Sequence, residues 1–492
     1  MPLFSATSVP GHVGNLRAEG PWLRDANGLK VRLRGVTYGP FRLNEEGLPW
    51  PTPAQLASDL AHIRTLGFNA VRVYEAPTEA VLQECARNGL HLFCWLRWGQ
   101  NVDFFENADL CQQARQLVRE EAHRLAQHPA VAALLVGNEI EKNLVRWLGP
   151  VRVLDFVEEL VALAKEAAPG KLVSYASYPS TEYLIPRQAD FVAFNVFLEE
   201  RHAFARYLQR LQNLAGDRPL VLTEFGLDTR SRGEAAQAET LLWHREVLEE
   251  LGAAGSFWFS YTDEWQNGGV AVEDWAFGLV TKQRAEKQVC RHLRAPALQP
   301  SPTAPERPVA ASLPSVSVIV CTRNGAATLQ QCLESLACQT LPPLEVLVVD
   351  DGSTDPTPAI AQAYAFVRYH RQEHAGLGVA RNVGMSLARG DVLAYTDDDC
   401  MADEDWLRQV VRAFQDPRCV AAGGPNVPPP PRNATEACVA LAPGAPSHVL
   451  LDDFEAEHLP GCNLVIRRSA LEEVGGFGAE FLAAGDDVDV CW

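Results

Sequence analysis

A proline-rich segment divides the sequence into two parts. Residues 295–314 read APALQPSPTAPERPVAASLP, with six prolines in twenty residues and almost no large apolar side chains. This composition is typical of an extended linker that adds nothing to a packed core. We therefore predict an N-terminal domain over residues 1–294 and a C-terminal domain over residues 315–492.

The composition indicates a globular protein that does not bind nucleic acid or anionic lipid. Hydrophobic residues make up 47% of the chain and charged residues 21%, which is usual for folded domains. The 43 basic residues face 62 acidic ones, a net charge of −19, which argues against nucleic acid or anionic lipid as a partner. Residues 315–492 hold eleven arginines, no lysine and 25 acidic residues, so most of the acidic excess lies there.

The cysteines and termini predict a reducing, cytoplasmic location. The twelve cysteines include no CxxC pair, and several stand in apolar runs such as HLFCWL, which favours buried thiols over disulfides. The first residues lack the features of a signal peptide, and no apolar run reaches the ~18 residues that span a bilayer. The sequence stops within the amphipathic stretch GDDVDVCW, so we expect a longer natural chain, with membrane association possible only through that missing part.

The N-terminal part alternates short apolar runs with amphipathic helical patterns. Eight such units in about 260 residues are the number expected of a (β/α)8 TIM barrel. The stretch WLRDANGLKVRL, with Asn27 and Gly28 between two runs, predicts a hairpin that covers the bottom of the barrel. The eight predicted strands are 31–39, 69–75, 90–98, 131–139, 172–178, 191–197, 219–226 and 255–265.

Two glutamates stand at the strand ends where a barrel concentrates its chemistry. Glu139 ends the fourth strand in VGNEI, and Glu224 ends the seventh in LTEFG. These strands lie on opposite sides of the barrel, so both carboxyls can face one sugar-sized ligand. Such a pair can cleave a glycosidic bond if one carboxyl protonates the leaving oxygen and the other attacks the anomeric carbon.

With these motifs, residues 15–293 resemble the clan A retaining β-glycosidases, which have an Asn-Glu pair on strand four and a glutamate on strand seven. The resemblance implies that Glu139 is the acid/base, that Asn138 binds the sugar 2-hydroxyl and that Glu224 is the nucleophile. It also implies that Arg72 keeps the nucleophile ionised and that Trp258 is the platform under the sugar. No cofactor is expected in this domain.

One departure from the clan leaves two interpretations open. Strand six reads FNVF, and Phe197 cannot supply the hydrogen bond that a Tyr or His near this position gives the nucleophile in many relatives. Either Asn195 or Tyr178 compensates, or the barrel binds glycan without cutting it. We also predict a sugar contact for Trp98.

The C-terminal part shows a smaller β/α series. The strands SVSVIVCT, LEVLVVDDGS and DVLAYTDDDC alternate with helical segments, which predicts an open, doubly wound sheet with its ligand at the carboxyl ends of the strands. These strands, followed by GCNLVIRRSALEEVGGF and GDDVDV, resemble in their order the family 2 glycosyltransferases with the GT-A fold. The resemblance covers residues 315–492, without the family's later elements.

The resemblance implies a metal-dependent donor site. A nucleotide-sugar leaves as a diphosphate, whose charge is neutralised by a hard divalent cation bound to carboxylates. Asp397 and Asp399 match the ends of the family's Asp-x-Asp motif and would hold Mg²⁺ or Mn²⁺, although a register shifted to Asp398 stays open. Arg381 is assigned to the diphosphate region.

Other positions match the nucleoside site of the family. Asp350 and Asp351 correspond to carboxylates that bind uracil and ribose, with a helix N-cap and turn as the alternative for both. The main chain from Cys321 to Arg323 would flank the base.

Asp487 completes the predicted transferase site. It matches the family's catalytic base, with Asp486 in place of the usual glutamate. The combined prediction is a two-domain carbohydrate-active protein, in which an inverting transferase passes a sugar from a UDP-sugar to an oligo- or polysaccharide acceptor. The barrel would act on a related glycan, or would serve as a non-catalytic glycan-binding module.

Overall fold

The structure is a computed structural model, and it describes residues 13–106, 108–267, 269–294, 313–429, 431–440, 449–479, 481 and 485–492. Contacts divide the chain into two compact units, Met1–Gln299 and Pro300–Trp492, and each is described by itself. The predicted linker lies outside the described residues except for its last two positions, so its extended character stays a prediction.

The N-terminal unit opens with a hairpin and continues into a closed parallel barrel. Strands β1 (Arg17–Glu19) and β2 (Trp22–Arg24) pair antiparallel before the barrel begins. The eight barrel strands coincide with the eight predicted runs, which confirms the TIM-barrel prediction. In chain order they are β3 (Leu33–Thr37), β4 (Ala70–Val73), β5 (His91–Trp95), β6 (Val131–Asn138), β7 (Leu172–Ser177), β8 (Val192–Asn195), β9 (Leu220–Phe225) and β10 (Gly255–Trp258).

A helix follows each barrel strand except β7, which leads directly into β8, and these helices cover the barrel. The first begins at Pro53, a residue suited to a first helical turn, and Thr52 caps it by accepting a hydrogen bond from the Gln55 amide at 3.3 Å. The helices are α1 (Pro53–Thr65), α2 (Glu79–Arg87), α3 (Ala108–Ala126), α4 (Lys142–Leu148), α5 (Pro150–Ala167), α6 (Arg201–Ala215), α7 (Thr229–Glu250) and α8 (Val289–Arg294). A short ribbon of β11 (Gln266–Asn267) and β12 (Val270–Ala271) lies after β10.

Side chains fill the barrel interior, so the barrel is a packed core with its chemistry at the rim. Phe93 lies with its ring centroid 4.8 Å from that of Phe257 and 5.8 Å from that of Phe191. Gly35 makes room for this cluster, because a Cβ there would lie 2.1 Å from the Phe257 ring. A second apolar layer separates the strands from the helices.

The C-terminal unit contains a six-stranded sheet in the order β15-β14-β13-β16-β20-β17. Strands β13 to β16 run parallel, whereas β20 runs antiparallel to both β16 and β17. The sheet strands are β13 (Val316–Thr322), β14 (Glu345–Asp351), β15 (Val367–Gln372), β16 (Val392–Asp397), β17 (Ala421–Ala422) and β20 (Leu464–Arg467), and a separate ribbon joins β18 (Val449–Leu450) and β19 (Ala456–His458).

Both faces of this sheet are buried, as the alternation within its strands requires. Val318 and Val348 pack on one face, while Ile319 and Val349 pack on the other. This arrangement confirms the predicted doubly wound sheet and adds an antiparallel edge to it. The helices are α9 (Leu329–Ala337), α10 (Thr357–Gln362), α11 (Leu377–Leu387), α12 (Trp406–Ala413), α13 (Ala434–Ala440), α14 (Arg468–Val474) and α15 (Asp486–Cys491), with a 3₁₀ turn η1 (Gly461–Asn463).

Within the ranges that the structure describes, none of the helices combines the length and apolar character needed to cross a bilayer.

Candidate functional site

In the barrel, Arg72 holds Glu224 at the carboxyl ends of the strands. Arg72 lies on β4 and is fully buried, and its Nη1 donates to Glu224 Oε1 at 2.6 Å and to the Thr223 carbonyl at 2.8 Å. Its Nη2 donates to Asn138 Oδ1 at 2.6 Å. One guanidinium therefore fixes both the predicted nucleophile and the predicted sugar-binding amide, and it supplies the opposite charge that a buried carboxylate needs.

Tyr74 is a second donor to Glu224, and it is not among the residues predicted from the sequence. Its hydroxyl donates to Glu224 Oε1 at 2.9 Å, and the Arg72 guanidinium lies 4.6 Å from its ring. Burial raises the pKa of Tyr74 well above its ordinary value, so the phenol keeps its proton and donates. Tyr74 supplies the hydrogen bond that Phe197 cannot make. Its position two residues after Arg72, within the predicted strand 69–75, was the available signal, because alternate residues of a strand share a face.

Glu139 has a different environment from Glu224. It accepts a hydrogen bond from Asn195 Nδ2 at 2.8 Å, and the same amide donates to Asn138 Oδ1 at 3.1 Å. Burial, reinforced by the charge of Glu224, raises the pKa of Glu139 to about 7. One carboxyl is therefore ion-paired while the other holds its proton up to neutral pH, a separation that suits a nucleophile and an acid/base.

Tyr178 and Asn195 were the two residues predicted to supply the hydrogen bond that Phe197 cannot give. Neither of them donates a hydrogen bond to Glu224. The Tyr178 hydroxyl instead accepts from the Lys142 amide at 2.9 Å, at the start of α4. Asn195 donates to Glu139, and its Oδ1 accepts from the Thr223 hydroxyl at 2.7 Å.

The structure does not bring Trp98 or Trp258 to the glutamates. Trp98 is buried against Phe104 and Phe156 in the layer between strands and helices, and its indole donates to the Val136 carbonyl at 2.7 Å. Trp258 is 1% exposed in the same layer. Its neighbour Phe257 fills the barrel interior, so the alternation of strand β10 turns Trp258 outward. The platform role predicted for Trp258 is thereby corrected.

Other aromatic rings border the site instead. Trp265 packs its ring 5.0 Å from that of Tyr74 and 4.6 Å from that of Phe259. Trp275 lies 6.2 Å from Trp265 and is 39% exposed, while Phe197 lies 5.9 Å from Phe259 and is 42% exposed. A continuous group of rings therefore runs from the glutamate site to solvent, and such surfaces suit the apolar faces of sugars.

In the C-terminal unit, carboxylates gather at the ends of the parallel strands. Asp397 ends β16, and burial raises its pKa, with Asp399, Asp398 and Asp487 adding to the effect against the opposing charge of Arg381. Burial also raises the pKa of Asp398, which accepts from the Thr322 hydroxyl. Negative charge exceeds positive charge here, so this donor set fits a hard divalent cation.

Arg381 has a structural partner within the site. Its Nη1 donates to Asp486 at 2.6 Å, and its Nη2 lies 3.6 Å from Asp397 Oδ1. Arg381 and Asp486 are 4% and 1% exposed, so their ion pair ties helix α15 to helix α11. Asp487 lies on the same turn of α15 and accepts from the Gly461 amide at 2.7 Å and the Val488 amide at 3.0 Å.

Asp350 and Asp351 are already hydrogen-bonded within the protein. Asp350 is fully buried and accepts from the Ser353 amide at 2.7 Å and the Tyr369 hydroxyl at 2.5 Å. The bond from Ser353 has the turn geometry that was the alternative prediction for Asp350. Burial alone would raise the pKa of Asp351, but its hydrogen bonds outweigh that effect and lower it. The donors to Asp351 are Gln372, His374, Ala375 and Gly376.

The predicted base-flanking segment lies between the two carboxylate-bearing strands. Cys321 pairs in register with Asp397 of β16, and Thr322 pairs with Asp350 of β14. Arg323 follows at the exposed end of β13. Burial raises the pKa of Cys321 to about 12, so its thiol stays protonated.

The C-terminal unit matches a known protein family. Residues 317–475 match the glycosyl transferase family 2 model. The C-terminal unit contains a family 2 glycosyltransferase domain. The transferase domain is similar to AglE of Haloferax volcanii, with 31% identity over 36% of this chain and 60% of that protein. It is also similar to the pre-mycofactocin glycosyltransferase of Mycobacterium tuberculosis, with 30% identity over 38% of this chain and 40% of that protein. The putative glycosyltransferase EpsH of Bacillus subtilis is 38% identical over 21% of this chain and 31% of its own length. The chain thus spans between about a third and three fifths of these relatives.

Solved structures similar to this chain include two β-glucuronidases. The enzyme of Bifidobacterium dentium aligns with 18% identity and a TM-score of 0.48 over 57% of this chain and 48% of its own. The enzyme of Faecalibacterium prausnitzii aligns with 20% identity and a TM-score of 0.48 over 57% of this chain and 51% of its own.

Proposed function

We propose that the transferase domain passes a sugar from a nucleotide-sugar, a UDP-sugar in the first instance, to a glycan acceptor with inversion at the anomeric carbon. The observation that carries this proposal is the convergence of the carboxylates of Asp397, Asp398 and Asp487 at one edge of the sheet. Asp397 and Asp399 would hold Mg²⁺ or Mn²⁺, which supplies charge neutralisation for the leaving diphosphate.

Asp487 is the base in this proposal. The amides of Gly461 and Val488 hold its carboxylate in place, and the carboxylate takes the proton of the acceptor hydroxyl as that oxygen attacks the sugar. The ion pair of Arg381 with Asp486 fixes the helix that carries Asp487.

Calorimetry with UDP and Mn²⁺ tests the donor site. The double variant Asp397→Ala/Asp399→Ala should lose Mn²⁺-dependent UDP binding, whereas Asp487→Asn should bind UDP and lose sugar transfer. Asp489→Ala is the matched control, because Asp489 lies exposed on the same acidic helix. UDP binding that is equal with and without Mn²⁺, or that survives in the double variant, would contradict the proposal.

For the barrel we propose retaining cleavage or transfer of a β-glycoside. The carrying observation is the contrast between Glu224, held by Arg72 and Tyr74, and Glu139, whose pKa lies near 7. Protonated Glu139 donates to the leaving oxygen while Glu224 attacks the anomeric carbon. Glu139 then deprotonates the water or sugar hydroxyl that releases the glycosyl-enzyme.

Aryl β-glycosides offered to the full chain test this reaction. Glu224→Gln should abolish turnover of all aryl glycosides. Glu139→Gln should slow glycosylation most for poor leaving groups, because an activated phenolate departs without a proton. The control is Glu120→Gln on the exposed face of α3, which should behave as wild type. Turnover that persists in Glu224→Gln would refute the assignment.

The second candidate is a glycan-binding module without turnover. The exposed rings of Phe197 and Trp275 beside the site favour it, because stacking surfaces bind sugars whether or not cleavage follows. Sugar binding by wild type with no turnover of any aryl glycoside would select this candidate.

Joining the two activities in one chain would keep the product of one site near the other. If the barrel trims or extends the transferase product, Glu224→Gln should change product length or branching. A cytoplasmic location is part of the proposal, and the twelve cysteines, all described as free thiols, support it.

A further inference from the structure

Two cysteines far apart in the sequence meet beside the carboxylate cluster. Cys400 follows β16 by three residues, and Cys462 lies in the turn η1 before β20. Because β16 and β20 are antiparallel neighbours, with Tyr395 opposite Leu464, the fold brings their ends together. One ligand atom each from Asp397, Cys400 and Cys462 lies within 4.8 Å of the others.

The spacing of these atoms suits a single small ion. Two sulfur ligands at ~2.3 Å from a tetrahedral zinc ion stand roughly 3.8 Å apart, so the group closes on an ion with small side-chain shifts. Cys400 Sγ also lies 3.7 Å from Asp399 Oδ1, which offers a further oxygen ligand. The surplus of carboxylates around Asp397 favours a cation at this position.

The ligand types distinguish this group from a magnesium site. Mg²⁺ and Mn²⁺ favour oxygen ligands, whereas thiolates select zinc and chemically similar ions. We propose that Asp397, Cys400 and Cys462 form a thiolate site for a zinc-class divalent cation, overlapping the carboxylate site of the transferase domain through Asp397.

Sharing Asp397 has a functional consequence that rests on the proposed function. A zinc ion held by Cys400, Cys462 and Asp397 withdraws a ligand from the Mg²⁺ or Mn²⁺ needed at the diphosphate. Zinc should therefore inhibit sugar transfer competitively with Mn²⁺, and a chelator that prefers zinc should restore it.

Cobalt absorption tests the site independently of transfer. Co²⁺ added to the reduced 492-residue chain should give thiolate-to-cobalt charge-transfer bands with one ion per chain, and Zn²⁺ should bleach them. Cys400→Ser and Cys462→Ser should each weaken binding by roughly 100-fold or more, and Asp397→Asn should also weaken it. The control is Cys338→Ser, since Cys338 is an exposed thiol outside the group.

Two outcomes would overturn the proposal. These are a wild-type protein without thiolate bands, and bands that persist in both Cys400→Ser and Cys462→Ser. Failure here is distinguishable from failure of the proposed function, because Mn²⁺-dependent UDP binding in Cys462→Ser reports on the carboxylate site alone.

Discussion

The raised pKa of Glu139 makes the stability of the barrel depend on pH in a defined direction. The carboxyl shifts from an ordinary value of 4.5 to about 7 in the folded protein. Between these values the unfolded chain releases the proton while the folded chain retains it. The stabilising contribution is therefore complete below pH 4.5 and is lost as the pH rises through 7.

The size of this effect follows from the same shift. A change from 4.5 to about 7 corresponds to about 3 kcal/mol of folding free energy. Glu139→Gln removes the ionisation and keeps the shape of the side chain. The quantity of interest is the free energy of unfolding of Glu139→Gln minus that of wild type. We expect this difference to rise by about 3 kcal/mol as the pH increases from 4.5 to 8.

Urea unfolding followed by tryptophan fluorescence measures this difference. Nine of the eleven tryptophans precede residue 300, so the signal reports mainly on the barrel. The free energies of unfolding of wild type, Glu139→Gln and the exposed control Glu120→Gln are compared at each pH. If wild type and Glu139→Gln follow parallel curves from pH 4.5 to 8, the burial argument for Glu139 is refuted.

Two further predictions concern the ion pairs and hydrogen bonds of the sites. Arg381→Met leaves Asp486 buried without its partner and should destabilise the transferase domain by about 3–5 kcal/mol in chemical denaturation, a loss that Arg381→Met/Asp486→Leu should largely recover. Equal stability of the single and double variants would contradict the pairing. Tyr74→Phe removes a donor to Glu224 and should lower turnover of aryl β-glycosides by roughly 10-fold to 100-fold with the barrel still folded. Unchanged turnover would exclude Tyr74 from positioning Glu224.

The sequence predicted the barrel well because its signal is local. Each strand is a short apolar run, and Glu139 and Glu224 follow from the rule that strand ends meet at one rim. Tyr74 was not predicted because it belongs to no motif of its own, although it stands two residues after Arg72 on the same face of the predicted strand. Trp258 was misassigned because the direction of a side chain at a strand end depends on register, which sequence alone does not fix.

In the transferase domain, too, the sequence predicted features carried by one short segment and did not predict contacts between distant segments. Strand β15, VRYHRQ, lies at the edge of the sheet with half-exposed, charged residues, so it lacks an apolar pattern. The sequence therefore gives no signal that Tyr369 and Gln372 donate hydrogen bonds to the predicted nucleoside carboxylates. Cys400 and Cys462 form no short-range motif, and only the pairing of β16 with β20 brings them together.

The internal hydrogen bonds of Asp350 and Asp351 limit how a nucleoside could bind at the carboxyl ends of the parallel strands. Asp351 already accepts four hydrogen bonds, so a base or ribose that bonded to it would displace Gln372, His374 or a backbone amide, and one partner would be exchanged for another. Such an exchange contributes little net free energy. Affinity would then come chiefly from the phosphates and the cation, and selectivity among bases from the shape of the cleft. A nucleoside without phosphates would accordingly be a weak competitor.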